Sequence, residues 1–115
     1  MPRKKTAAQP FSFRPHPHLY EINTWVWLEE LSAKHGRKLT LGGVPEQEWD
    51  ALAARCFDFI WLMGIWKRSP ASRKIARAVP SLAPRYEEAL PGWTPADVVG
   101  SPYAVHAYRL DPRLG

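Results

Sequence analysis

The run Phe57-Asp58-Phe59-Ile60-Trp61-Leu62-Met63-Gly64-Ile65-Trp66 constrains this chain more than any other segment. It carries a single charge, at Asp58. Its length and aromatic content fit a strand buried on both faces. Such a strand needs a layer on each side and a neighbour on each edge. Parallel sheets covered by helices meet that need, so the pattern predicts an α/β fold.

A first strand is expected upstream, over residues 20–28. There Ile22, Thr24, Val26 and Leu28 alternate with Asn23, Trp25 and Trp27. Period two with β-branched and aromatic residues is the strand signal. Both sets are bulky, which again fits burial on both faces. Gly36, Gly42 and Gly43 break the next stretch. Val44-Pro45-Glu46-Gln47-Glu48 then opens a helix, because proline suits a first turn and carboxylates suit the positive end of the helix dipole. Trp49, Leu52, Ala53 and Cys56 form its apolar stripe at i, i+3, i+4 and i+7. Strand, helix, strand with short links is a βαβ unit, expected as a right-handed parallel crossover.

Downstream of Trp66 the residues are more polar. Ser69-Pro70-Ala71-Ser72 starts a short basic helix to about Val79. Residues 81–90 read as a second helix, stopped by Pro91-Gly92. Thr94-Pro95-Ala96-Asp97 is a capping signal. Residues 101–115 read as a Tyr-rich loop, with no further strand expected after Trp66.

A chain of 115 residues is one domain at most. With 45% hydrophobic residues it is a globular composition. Residues 1–19, basic and rich in proline, read as a mobile tail, and residues 20–115 as the folded part. His16 and His18 are isolated in that tail, so no metal site is expected. The net charge of +5 is split between Arg3, Lys4, Lys5 and a second group, Lys67, Arg68, Arg73, Lys74 and Arg77. These read as a solvated tail and a solvated helix face, so no nucleic-acid partner is expected. The six tryptophans read first as core mass. Cys56 is the single cysteine, which excludes an intrachain disulfide and a zinc-ligand spacing. No apolar run reaches the ~18 residues of a membrane span. A basic start with no apolar stretch behind it is not a secretory signal. The expected setting is cytoplasmic, with no cofactor and no membrane partner.

Two doubly buried strands and one helix leave edges and apolar surface uncovered. The expectation is therefore of the opening portion of a larger enzyme, molten or aggregating when isolated. An insertion of about 40 residues comes after the second strand, and barrel enzymes build active sites from loops at that end of their strands.

Three segments carry a family likeness. Residues 57–66 resemble the second barrel strand of the α-amylase family of glycoside hydrolases. Ile22-Asn23-Thr24-Trp25-Val26-Trp27-Leu28 looks like its first strand. Gly100-Ser101-Pro102-Tyr103-Ala104-Val105-His106-Ala107-Tyr108-Arg109-Leu110-Asp111-Pro112-Arg113-Leu114-Gly115 is similar to its loop after strand two. The likeness covers residues 20–115. It implies an incomplete (β/α)8 TIM barrel: a first βαβ unit plus a long helical loop insertion. It also implies a retaining mechanism on an oligosaccharide or glucan with α-linkages, run by a carboxylate nucleophile and a carboxyl general acid/base. In the family those groups sit on strands four, five and seven. None of these strands lies within this sequence, so no catalytic residue is assigned.

The likeness implies that Tyr103 stacks on the sugar at the cleavage subsite. Tyr108 matches a second family tyrosine, and Trp66 stands at the strand end where substrate binds. Asp58 opens strand two and reads as structural. Two positions depart from the family. Ala107 stands where Asp is usual, and Cys56 where Gly is usual. A left-handed backbone at Cys56 would cost about 1 kcal/mol or more. Two other classes compete: a stand-alone Trp-rich carbohydrate-binding or interaction module, and a basic nucleic-acid-binding protein.

Overall fold

A computed structural model describes residues 14–115. Its first strand, β1 (Leu19–Asn23), is shorter than the alternation over residues 20–28 predicts. Helix α1 (Thr24–His35) takes over at Thr24. The reason is spacing: Thr24, Leu28 and Leu31 are buried at i, i+4 and i+7, a helical stripe that a short alternating window conceals. Gly36 ends α1 in the left-handed region at φ 64°. Its N–H donates to Ala33 O, and the Arg37 N–H donates to Ser32 O, a Schellman closure.

Helix α2 (Glu46–Ala53) follows Pro45, with Glu46 and Glu48 in its first turn as the sequence predicts. Glu48 accepts hydrogen bonds from Lys34 and engages His35 at 2.8 Å, so α2 is tied to the end of α1. Trp27 and Trp49 meet edge-to-face with centroids 5.1 Å apart.

Cys56 leads into strand β2 (Phe59–Met63) and adopts φ 62°. A side chain is disfavoured there. Cys56→Gly is expected to raise stability by about 0.5–1 kcal/mol, the left-handed penalty less the added freedom of the unfolded chain. An unchanged or lower urea midpoint would contradict this.

β1 pairs with β2 in parallel, from Leu19 opposite Phe59 to Asn23 opposite Met63. Opposed residues share a face. Tyr20 and Ile22 line one face, where Trp27 of α1 and Glu48 and Leu52 of α2 close over them. Tyr20 also stacks on Phe57 with centroids 4.7 Å apart. The other face presents Leu19, Glu21, Trp61 and Met63. Leu19 is 56% and Trp61 44% exposed. The expected burial on both faces is therefore corrected: one face is covered and the other is open. Among the described residues no third strand joins this sheet.

The long apolar run is also not one strand. Gly64 turns the chain at φ 82°, where an added Cβ would lie 3.2 Å from Pro102 Cβ. Beyond it, strand β3 (Trp66–Arg68) pairs antiparallel with strand β4 (Val105–Leu110). The expectation of a loop over residues 101–115, with no strand after Trp66, is corrected accordingly. Alternation was readable in Val105, Ala107 and Arg109 against His106 and Tyr108, but few apolar residues marked it. Between β3 and β4 lie helices α3 (Pro70–Ala78) and α4 (Ala83–Ala89), close to the expected helices. Ser69 caps α3 by accepting from the Ser72 N–H. A turn over Pro95–Asp97 has the expected reciprocal contact, the Thr94 N–H donating to Asp97 Oδ2 at 2.7 Å.

The core is small. Leu28, Leu31, Leu39, Val44 and Leu114 form the buried cluster, flanked by Trp25, Trp27, Leu41, Trp49 and Ile65. Leu114 brings the last residues against α1, far in sequence from the rest.

Residues 14–18 do not behave as the expected tail. Arg14 Nη2 donates to Asp58 Oδ2 at 2.8 Å, and the His18 N–H donates to the same oxygen at 2.7 Å. The Asp58 N–H in turn donates to His18 O. Asp58 thus fastens the start of β2 to the approach to β1. The rest of the expected tail, residues 1–13, lies outside the described residues.

Candidate functional site

In a parallel pair both strands end on the same side, here at Asn23 and Met63. Chain segments leaving that side are where α/β proteins place their ligands. Trp25, in the first turn of α1, donates from Nε1 to Gly64 O at 2.8 Å, joining the exits of the two strands. Arg68 and Arg113 each set a guanidinium over the Trp25 ring, 5.3 and 4.6 Å from its centroid. A cation over an indole face is attracted by the ring's quadrupole.

Asp111 holds Arg113 in place. It is buried and accepts from Arg113 Nε at 3.0 Å and Nη2 at 2.9 Å. Its Oδ1 also accepts from the Arg113 N–H, an Asx turn. The Asp111 N–H donates to Ile65 O. Residues 111–113 are thereby locked to the end of β2. Arg68 donates from Nη1 to Gly100 O at 3.1 Å, while its buried Nε has no partner among the described residues. Thr24 Oγ1 is likewise buried without a partner among them.

The three sequence-derived site residues separate into two places. Trp66 and Tyr108 come together on the β3–β4 ribbon, edge-to-face with centroids 5.7 Å apart. The ribbon register slips between Trp66 and Lys67, so Tyr108 is pushed outward and is 80% exposed. Tyr103 belongs instead to the open face of the β1–β2 sheet. Its hydroxyl donates to Glu21 Oε1 at 3.3 Å, and the residue is 66% exposed. Partial burial, with the Glu21 charge adding to it, pushes the Tyr103 hydroxyl up from its ordinary value. The phenol is therefore neutral near pH 7, and its ring is available to a flat apolar surface.

Sequence reasoning missed Trp25 as a hub, and missed Glu21, Arg68 and Arg113. Asp111-Pro112-Arg113 did carry a readable signal, because Asp before Pro favours an Asx turn. Nothing local marked Arg68 or Glu21, whose partners lie 32 and 82 residues away. Among the described residues no group of His, Cys, Asp and Glu is arranged to hold a metal ion, and no helix is long and apolar enough to cross a membrane.

Three carboxylates carry a pH dependence. Arg113 holds Asp111 below the usual carboxylate range, Arg14 and the His18 N–H do so for Asp58, and Lys34 and His35 for Glu48. A depressed carboxylate stabilises the folded chain above its unfolded pKa, about 4, and that contribution is lost as pH falls through the folded value. The urea midpoint is expected to be steady above about pH 5 and to fall steadily on acidification below it. A midpoint that rises on acidification contradicts these pairings.

No protein-family model, curated protein or solved structure matches this chain.

Proposed function

We propose that this chain is the N-terminal portion of an α-amylase-like glycoside hydrolase barrel, inactive alone, which within a longer protein acts on α-linked glucans or related glycosides. The observation that carries the reading is the open sheet face. A parallel strand pair covered by helices on one side and apolar on the other suits the wall of a closed barrel, whose interior is filled by side chains from the remaining strands. Leu19, Trp61 and Met63 would supply such a layer.

The family likeness of residues 100–115 supports the chemical part. Tyr103 offers a ring at the open face, and a sugar's apolar face packs on such a ring while its hydroxyls bond elsewhere. Glu21 positions the phenol. Asp58 is unsuited to catalysis, because Arg14 and His18 occupy it at the start of β2, away from the strand's C-terminal end. The nucleophile and the general acid/base belong to strands beyond these residues. The cytoplasmic setting belongs to the same reading.

The test is an assay of the gene product that extends beyond Gly115, on malto-oligosaccharides with anomeric product analysis. Retention of configuration is expected. Tyr103→Ala is expected to lower kcat/KM by about 10–100-fold, the scale of one stacking contact at a reacting sugar. Tyr103→Phe is expected to keep most of the activity, since the ring does the stacking. An extended product inactive on every α-glucan would sink the reading.

The exposed Trp66–Tyr108 pair favours a second reading, a stand-alone carbohydrate-binding or interaction module. It requires the 115-residue chain alone to bind a glucan, with a Kd of about 1 mM or tighter, and to lose that binding in Tyr108→Ala. The glycosidase reading expects no such affinity from the isolated chain.

A further inference from the structure

A cleft of about 340 Å³ opens between α3, β3 and the turn at residues 111–113. Lys67, Arg68, Arg73 and Arg113 line it, with Asp111 as the one carboxylate. Both Asp111 oxygens are already engaged by Arg113. That pairing leaves Lys67 and Arg73, among the described residues, without an ion-pair partner beside one small volume, while Arg68 shares the charge of Asp111.

The donors there are also largely unspent. Among the described residues neither the Lys67 ammonium nor the Arg73 guanidinium has a hydrogen-bond acceptor or an ion-pair partner. Ser69 lines the cleft too, and although its oxygen accepts from Ser72, its own proton is free to be donated. The α3 N-terminus adds little, since Ser69 already satisfies the Ser72 and Arg73 N–H groups.

We propose that this cleft binds a phosphate group, held by Lys67 and Arg73 with the Ser69 hydroxyl as an added donor and the Arg68 charge beside it. The chemistry favours phosphate over carboxylate. An ammonium, a guanidinium and a hydroxyl converge from separate elements, and a tetrahedral group with three or four acceptor oxygens can engage all of them. A two-oxygen carboxylate cannot. Nucleic acid fits poorly, because no aromatic side chain lines the cleft to stack a base. Burial pushes the Arg68 guanidinium down from its ordinary value, Arg113 pushes the same way and Asp111 opposes them. The site goes beyond the glycosidase reading and does not depend on it, since it needs only α3, β3 and the 111–113 turn.

The phosphate has two possible sources, the free ion or a sugar monophosphate, and one experiment separates them. The full 115-residue chain is titrated at constant ionic strength with inorganic phosphate, glucose 6-phosphate, glucose and chloride, following backbone amide shifts. Saturable shifts at residues 67–74 and 111–113 are expected, with a Kd of about 1 mM or tighter for at least one phosphate ligand. Arg73→Gln and Lys67→Gln should each weaken binding about 5–10-fold, whereas Arg85→Gln on α4 should not. Equal affinity for both phosphates assigns the free ion. Glucose 6-phosphate binding at least about 10-fold tighter, with no response to glucose, assigns the sugar monophosphate. Three results overturn the site: chloride reproducing the shifts, variants that leave affinity unchanged, or α3 amides that stay unfolded with and without phosphate.

Discussion

Trp25→Ala is expected to abolish cooperative folding of this chain. Removing a packed tryptophan costs about 3–5 kcal/mol in lost burial and cavity formation. A complete domain has about 5–15 kcal/mol in total. This chain sits at the low end, because among the described residues its buried cluster is five residues with a fringe and one sheet face is open. Trp25 also does more than fill space. Its N–H joins the exits of β1 and β2 through Gly64 O, and its ring seats Arg68 and Arg113. Without the indole, those two guanidinium groups lose the ring that seats them while their mutual repulsion remains. Trp25→Phe keeps a ring but loses the N–H, and should cost about 1–2 kcal/mol. Urea titrations followed by near-UV circular dichroism separate the two. A Trp25→Ala chain that melts cooperatively within about 1 kcal/mol of the parent would remove Trp25 from its central place.

Self-association of the 115-residue chain is the second large effect. The open face carries Leu19 and Trp61, and the β1–β2 sheet has no further strand among the described residues. Unpaired backbone at a sheet edge beside apolar surface is a template for another chain. Sedimentation velocity is expected to show concentration-dependent association at tens of micromolar or below. Trp61→Lys places a charge at the centre of that face without touching the covered side. It should weaken association by about 10-fold or more. A chain that stays monomeric at about 100 µM contradicts the open-face account.

Some of this structure was legible in the residues and some was not. Helices α2, α3 and α4 carried their own punctuation: Pro45 with two glutamates, Ser69-Pro70, and Pro91-Gly92. Local signals suffice where a helix is set by its ends. The first strand was overrun because bulky residues at 24, 25 and 28 satisfy both periods over a short window. Only Leu31 and the Gly36 stop, further along, decide for a helix. The apolar run over residues 57–66 by itself predicts one strand, because nothing in its composition marks where the strand ends. A positive φ at Gly64 turns the chain instead, and Trp66 at the end of the run pairs with Leu110, 44 residues later. β4 is mostly exposed and short of apolar residues, so its strand character depends on the partner and not on its own pattern. The candidate site follows the same division. Trp66, Tyr103 and Tyr108 were visible as aromatic residues, but their assortment into a ribbon pair and a lone ring beside Glu21 is set by tertiary contacts. Cys56 stands where the resemblance implies Gly, and its φ of 62° lies in the left-handed region that Gly favours.

The most direct measurement is the DNA sequence following the codon for Gly115. The account predicts that it continues, in frame or after one frameshift, into strand and helix segments that bring the missing carboxylates of a retaining glycosidase. Continuation into an unrelated domain, or a stop codon with no trace of further barrel strands, contradicts it and leaves the carbohydrate-binding or interaction module as the better account.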